Sequence, residues 1–158
     1  MKDLFRVDPD KEPEMLAIFQ HGGHSYGMDS LLIQEIVEQD SLTRIYNAED
    51  YVAGILNLRG KIVTVVDLGL RLNQASSDPP ASRPVLVVPY GNEKLGLQVD
   101  QIKDVVSINP EDIRPLPSNV DPLLARFFRG ILRRDGQMIT LLNPIRVLLP
   151  NQEFQESP

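Results

Sequence analysis

The chain has 158 residues, 42% of them hydrophobic, with 13 prolines, 10 glycines, no cysteine and a formal net charge of −6. That is apolar material for one compact domain or two small interlocked ones, and the proline and glycine content favours short elements over long helices. It excludes a disulfide framework, a thiolate metal site, the basic footprint of a nucleic-acid binder and an apolar run of the roughly 18 residues that span a membrane.

Residues 1–13 are polar and read as a loose tail, and the charged start MKDLFRVDPDKEPE lacks the apolar centre of a signal peptide. A soluble cytoplasmic protein without membrane insertion is expected. Met15 to Phe19 reads as a short strand, His21-Gly22-Gly23-His24 as a turn, and Ser25 to Ser30 as the return strand. Leu31, Leu32, Ile33, Ile36 and Val37 have mixed spacing, as in a helical turn running into a strand. Ser41 to Tyr46 suits a further strand, and Ala48 to Tyr51 a turn of helix. Val52 to Leu58 and Ile62 to Val66 are apolar strands about an Arg59-Gly60-Lys61 turn, closed by Asp67 and a leucine-rich segment. Gly60 suits a positive φ at that turn. Residues 73–83, NQASSDPPASR, form a loop without a large apolar residue. Pro84 to Pro89 and Lys94 to Val99 then make a hairpin, and Ile102 to Ile108 a strand. A proline-punctuated loop comes next at residues 115–122, then a second hairpin from Phe127, a helical turn over Pro144 to Leu149, and a polar tail at 151–158.

The two hairpins are copies. Shifted by 76 residues, YVAGILNLRGKIVTVVDLGLRL (51–72) aligns without a gap on FFRGILRRDGQMITLLNPIRVL (127–148), with six of 22 positions identical. Gly54 falls on Gly130, Gly60 on Gly136 and Thr64 on Thr140. The preceding segments agree with a residue of slippage: Leu16–Ile18 corresponds to Leu86–Val88, Gly27-Met28 to Gly96-Leu97, and Ile33 to Ile102. An internal duplication of short strands points to an all-β chain with one small barrel per repeat.

VAGILNLRGKIVTVVDL resembles the signature segment of the CheW family, the coupling proteins of bacterial chemosensory arrays, on its Gly-x-x-Asn-Leu-Arg-Gly core and closing Asp-Leu. The resemblance runs from about Met15 to Leu149 and includes Tyr26-Gly27-Met28-Asp29, Ile33-Gln34-Glu35-Ile36, Thr43-Arg44-Ile45 and Leu95 to Asp100. In its turn signature, Gly54, Asn57, Leu58, Gly60 and Asp67 are the matching positions. The chain departs from the family pattern at Thr64 (usually proline), at Gly69 (usually larger), and at Pro84 and Pro89, which bracket a strand. The resemblance implies two interlocked five-stranded SH3/OB-like barrels with short helical segments, exchanging a terminal strand, in a single domain over 14–150. One barrel would take about residues 20–73, the other 14–19 with 84–150. It also implies a non-catalytic scaffold that binds the regulatory domain of a CheA-type histidine kinase and the cytoplasmic tip of methyl-accepting chemoreceptors. A groove for the receptor would be lined by Ile33, Glu35, Arg59, Val85, Ile102 and Val105, with Glu35 the internal partner of Arg59.

Arg59 carries a permanently charged planar fork at the lip of an apolar hairpin, where the other copy has Asp135. The barrel therefore does not require arginine there. His21 and His24 lack the further ligands of a structural zinc site, so no metal is expected. Asp29, Asp67 and Asp100 end strands, where a carboxylate more often caps the next segment. No nucleophile elbow or phosphate-cradling loop is present, and neither catalysis nor a cofactor is expected. Two other readings stand beside the coupling scaffold: a regulatory module of a related, non-motility chemosensory pathway (CheV-like without its receiver), and an oligonucleotide-binding barrel. The second needs stacking aromatics on a basic groove, which 6% aromatics, no tryptophan and a negative charge do not supply.

Overall fold

The computed structural model describes residues 2–39, 42–74 and 80–149. Among these residues, ten strands and three short α-helices occur in the order β1 (Met15–His21), β2 (His24–Asp29), β3 (Glu35–Gln39), β4 (Val52–Leu58), β5 (Lys61–Asp67), α1 (Leu68–Arg71), β6 (Arg83–Tyr90), β7 (Glu93–Gln98), β8 (Gln101–Ser107), α2 (Pro122–Ala125), β9 (Phe128–Arg134), β10 (Gln137–Leu142) and α3 (Pro144–Leu148). The expected strand over Ser41 to Tyr46 does not form in its described part. Thr43 alone bridges to Ile55. Residues 48–51 are not helical. The polar tail at 151–158 and most of the loop between repeats lie outside the described residues.

The duplication is visible in the ladders. One five-stranded sheet has the order β8-β1-β2-β10-β9 and the other β3-β6-β7-β5-β4. β2 runs parallel to β10 with Gly27 opposite Leu141, and β7 runs parallel to β5 with Gly96 opposite Val65. Each sheet thus joins the first hairpin of one repeat to the last three strands of the other. The expected division, 20–73 against 14–19 with 84–150, is corrected by this order: the sheets take 15–29 with 101–142, and 35–67 with 83–98. The exchange is reciprocal and moves whole hairpins, because β1 and β2 are held together by their own two-residue turn. Ladder register also corrects the alignment of the first strands by one residue. Leu16 pairs with Asp29 as Val85 pairs with Gln98, so Leu16 matches Val85 rather than Leu86.

Each sheet wraps its own small core. Leu16, Ile18, Leu132, Ile139 and Leu141 fill one, and Val85, Val87, Leu56, Val63 and Val65 fill the other. Gly27 and Gly96 explain why both copies keep glycine there. A Cβ at Gly27 would sit 3.2 Å from both Ile139 and Leu141 methyls, and one at Gly96 2.7 Å from a Val85 methyl. Gly54 and Gly130 admit a crossing segment of backbone: a Cβ would lie 2.5 Å from the Thr43 carbonyl oxygen in one copy and 2.7 Å from that of Arg114 in the other. Thr43 exchanges two backbone hydrogen bonds with Ile55, as Arg114 does with Ile131.

A third core joins the sheets, with Phe19, Met28, Leu32, Leu86, Leu97 and Leu148 among its buried members. Arg71 enters this region from α1, at the position where the second repeat has the fully buried Val147. Its guanidinium donates to the carbonyls of Arg146 (2.7 Å), Leu149 (3.0 Å) and Val147 (3.2 Å), and stacks 4.0 Å from the centre of the Tyr51 ring. Burial pushes its pKa below the ordinary arginine value. Carbonyls at the end of α3 thereby gain a donor that the helix itself cannot supply.

The N-terminal residues are not loose as expected. Phe5 is buried, stacks edge-on against Tyr90 with ring centres 4.9 Å apart, and leads to a clamp in which Arg129 donates to the carbonyls of Pro9, Asp10 and Lys11. Phe5 and Val7 are the apolar side chains that bring the segment down onto the central core. Pro84 and Pro89 stay at the ends of β6, where the ladder to β3 and β7 continues through both.

Candidate functional site

Leu58 pairs with Lys61 at the tip of β4–β5, which leaves Arg59-Gly60 as a two-residue turn. Both residues have positive φ, 51° and 85°, the geometry of a type I′ turn. Asn57 holds the turn, its Oδ1 accepting from the Gly60 N–H at 2.8 Å. The matching turn of β9–β10 has φ of 52° at Asp135 and 78° at Gly136. Asp-Gly is a preferred pair for this turn; Arg-Gly is not. A left-handed conformation costs an ordinary L-residue about 1–2 kcal/mol, part of which Asn and Asp escape by local hydrogen bonding.

Arg59 forms an ion pair with Glu35 at the start of β3. Glu35 also accepts from Gln34 Nε2 at 3.3 Å, and Gln34 Oε1 accepts from Lys94 Nζ. The Arg59 side chain is 67% exposed and that of Glu35 27%. An exposed pair of this kind contributes about 0–1 kcal/mol, which does not exceed the cost of the left-handed arginine. Folding stability therefore does not account for arginine in this turn, and backbone strain of this sort points to function.

The other expected groove residues divide. Ile33 and Ile102, equivalent in the repeats, are partly buried and both pack against the central core where the sheets meet. Val105 on β8 is 46% exposed. Val85 is not at a surface: it is fully buried, packed within the second sheet's core and facing Gly96. Its place in the register of β6, two residues from the equally buried Val87, turns it inward. An exposed apolar residue in sequence next to Glu35 is Ile36, 40% exposed and equivalent to Val105. The repeat alignment carries that signal, since 36 and 105 fall together as 33 and 102 do.

Of the signature residues, Gly54 receives the Thr43 backbone, Asn57 and Gly60 form the turn, and Leu58 is half-buried against the β4–β5 core. Asp67 caps α1 by accepting from the Leu70 N–H at 3.1 Å and pairs with Arg83 at 3.1 Å. Asp29 caps the turn at 30–32 in the same way, accepting from Leu31. Asp100 instead accepts from Gly22 N–H at 3.0 Å and lies 3.4 Å from Nδ1 of the buried His21. His24 is exposed, and among the described residues no group of three or more His, Cys, Asp or Glu side chains is placed to hold a metal. Gly69 makes room for His21, whose Nε2 occupies the space a Cβ would need. Among the described residues, no helix is long and apolar enough to cross a membrane.

A family model for the CheW-like domain matches residues 16–149. The chain is 36% identical over 137 residues to the chemotaxis protein CheW of Klebsiella aerogenes, covering 87% of this chain and 82% of that protein. It is 28% identical over 138 residues to the chemotaxis protein CheW of Rhizobium meliloti, covering 87% and 88%. The crystal structure of a CheW scaffolding protein from Thermoanaerobacter tengcongensis superposes with a TM-score of 0.74 at 30% identity, over 84% of this chain and 85% of that one.

Proposed function

The chain belongs to the CheW-like domain family, and from that premise we propose that it is a scaffold joining a CheA-type histidine kinase to methyl-accepting chemoreceptors, with the Glu35–Arg59 lip as its receptor contact. It carries out no catalysis. Its relatives are chemotaxis proteins and a scaffolding protein by name. Its place is cytoplasmic, at the membrane only through the receptor arrays.

The observation that carries the lip assignment is the left-handed φ of 51° at Arg59, set against Asp135 at 52° in the equivalent turn. The more strained copy carries the charged fork, and the less strained copy does not. Ile36, next to Glu35 in sequence, is exposed, and Ile33 and Ile102 lie partly buried over the central core. Ile33 and Ile102 would give a helical hairpin an apolar surface to pack on, with the charged lip as a separate polar contact. Arg59 would meet a carboxylate or backbone carbonyl of the receptor directly, or fix Glu35 to do so.

Titrating the Arg59→Ala variant separately with a receptor hairpin fragment and with a kinase regulatory domain tests this. Receptor binding is expected to weaken by about 1–3 kcal/mol, the range for hydrogen bonds to charged groups, with kinase binding nearly unchanged. Equal losses for both partners would remove Arg59 from the receptor site.

A further inference from the structure

The segment ahead of β1 leads into one sheet and attaches to the other. β6 pairs with β7 along one edge as far as Tyr90, and its second edge belongs to β3, whose ladder stops at Glu35 opposite Val87. Phe5 makes an antiparallel bridge to Tyr90, so it takes the part of that second edge which β3 leaves open. The Leu4 carbonyl accepts from the Gly91 N–H at 2.7 Å, and the buried Phe5 ring stacks edge-on against Tyr90. The chain then crosses to the first sheet, where β1 begins at Met15. Arg129 on β9 fastens the crossing by donating to the carbonyls of Pro9, Asp10 and Lys11 at 3.0, 2.7 and 3.1 Å. The barrel does not require an arginine there, since the equivalent residue of the other repeat is Ala53, packed against its own barrel core.

What the segment lies against is the backbone that carries the lip. Arg6 Nη1 is 3.5 Å from the carbonyl oxygen of Ile33, and Phe5 and Val7 share the central core with Ile33 and Tyr90. Pro89, next to Tyr90, is opposite Lys94 in the ladder. Lys94 donates to Gln34, and Gln34 donates to Glu35 at 3.3 Å. The polar residues that orient Glu35 therefore stand on the two stretches, at 33–34 and 89–94, that the segment touches. A side chain held in place before binding is not ordered at the partner's expense, which otherwise costs about 0.5–1.5 kcal/mol.

We propose that residues 4–11 are a strap that positions the receptor lip, anchored by Phe5 at one end and by the Arg129 clamp at the other. Docked, it holds residues 33–35 so that Glu35 faces Arg59 before a receptor arrives. Phe5 and Arg129 are positioning residues in this scheme and touch no receptor themselves. The inference rests on the reading of Glu35 and Arg59 as the receptor contact.

Amide exchange and receptor titrations on the full chain test it. In Phe5→Ala the Gly91 amide, freed from the Leu4 carbonyl, should exchange faster, and the Gln34 amide, which donates to Val87 at 2.7 Å, should follow. Affinity for a receptor hairpin fragment should fall about three- to tenfold, as when one or two side chains must be ordered on binding. Arg129→Gln leaves the apolar anchor intact and should weaken binding in the same direction; it takes the place of Phe5→Ala should that variant fail to fold. In an Arg59→Ala background neither substitution should weaken binding further, because both act through the lip. An undiminished loss in that background, unchanged affinity in either folded variant, or unchanged exchange at Gln34 would each overturn the proposal. If Arg59→Ala alone leaves receptor binding unchanged, the lip reading falls, and exchange at Gln34 then decides by itself whether the strap holds residues 33–35.

Discussion

Replacing Arg59 with asparagine separates what the turn needs from what the lip does. Asparagine tolerates the left-handed conformation, so Arg59→Asn relieves part of a strain of about 1–2 kcal/mol. It also removes the ion pair with Glu35, whose arginine side chain is 67% exposed and whose contribution is at most about 1 kcal/mol. The two changes oppose each other, and the net effect on folding is expected within about 1 kcal/mol of zero. For a chain of 158 residues that is a melting-temperature shift of no more than about 4 °C in either direction. Arg59→Ala loses the same ion pair without the relief, so it should melt below Arg59→Asn by an amount equivalent to roughly 0.5–1 kcal/mol. Receptor affinity should fall alike in both variants, because both lack the fork. Thermal melts of the three proteins together with receptor titrations check this. A fall of more than about 2 kcal/mol in Arg59→Asn would show that the pair supports the fold, and the inference from strain to function would fail.

Two further outcomes bear on the fold. Leu56→Ala, emptying a position 6% exposed in the β4–β5 core, should cost about 2–4 kcal/mol in urea unfolding, and Leu132→Ala at the equivalent position a similar amount; a loss below about 1 kcal/mol at either would mean that its core is not packed as described. Burial holds the His21 pKa below 6.5, against the pull of Asp100 and Asp67 and with the help of Arg83. The unfolded chain therefore binds the proton first, and stability should fall as pH drops from 6.5 towards the depressed folded value and level off below it as regards this group. Urea midpoints between pH 7.5 and about 5 should show a smaller slope in His21→Gln; an unchanged slope would assign the dependence to other groups.

Much of this was legible in the sequence because the repeat provides an internal control. Gly60 and Gly136 predict their own turns, and an aligned apolar pair such as Leu56 and Leu132 identifies both barrel cores. The Glu35–Arg59 contact was legible only through the family pattern, since 24 residues separate the two and no periodicity links them. Val85 was misplaced because β6 is apolar on both faces, with Val85, Leu86, Val87 and Val88 all buried. A strand without alternation does not reveal which side faces out, and the one-residue slip in the β1–β6 alignment has the same origin. Arg71 gave no signal at all. Its burial depends on carbonyls at the end of α3, more than 70 residues away. Gly69, by contrast, was visible as a departure but unexplained until His21 filled its space.

The reciprocal exchange of hairpins bears on why such a fold serves a scaffold. Had each repeat closed its own barrel, the two would be joined by the 73–83 loop and whatever surface they buried, and domains so joined move relative to one another by default. Here the parallel pairing of β2 with β10 binds residue 25 to residue 139, and that of β7 with β5 binds residue 94 to residue 63. Neither sheet is complete within one repeat. Separating them would break both parallel ladders, the antiparallel pairings β1–β8 and β3–β6, and the central core together. The geometry between Ile33 on one repeat and Ile102 on the other is consequently fixed by backbone ladders rather than by side-chain packing alone. A surface assembled from both repeats, with the lip at its edge, needs that rigidity if it is to receive a helical partner without reordering itself at each encounter. The long sequence separations make such ladders slow to form, so the arrangement trades folding speed for a fixed binding geometry.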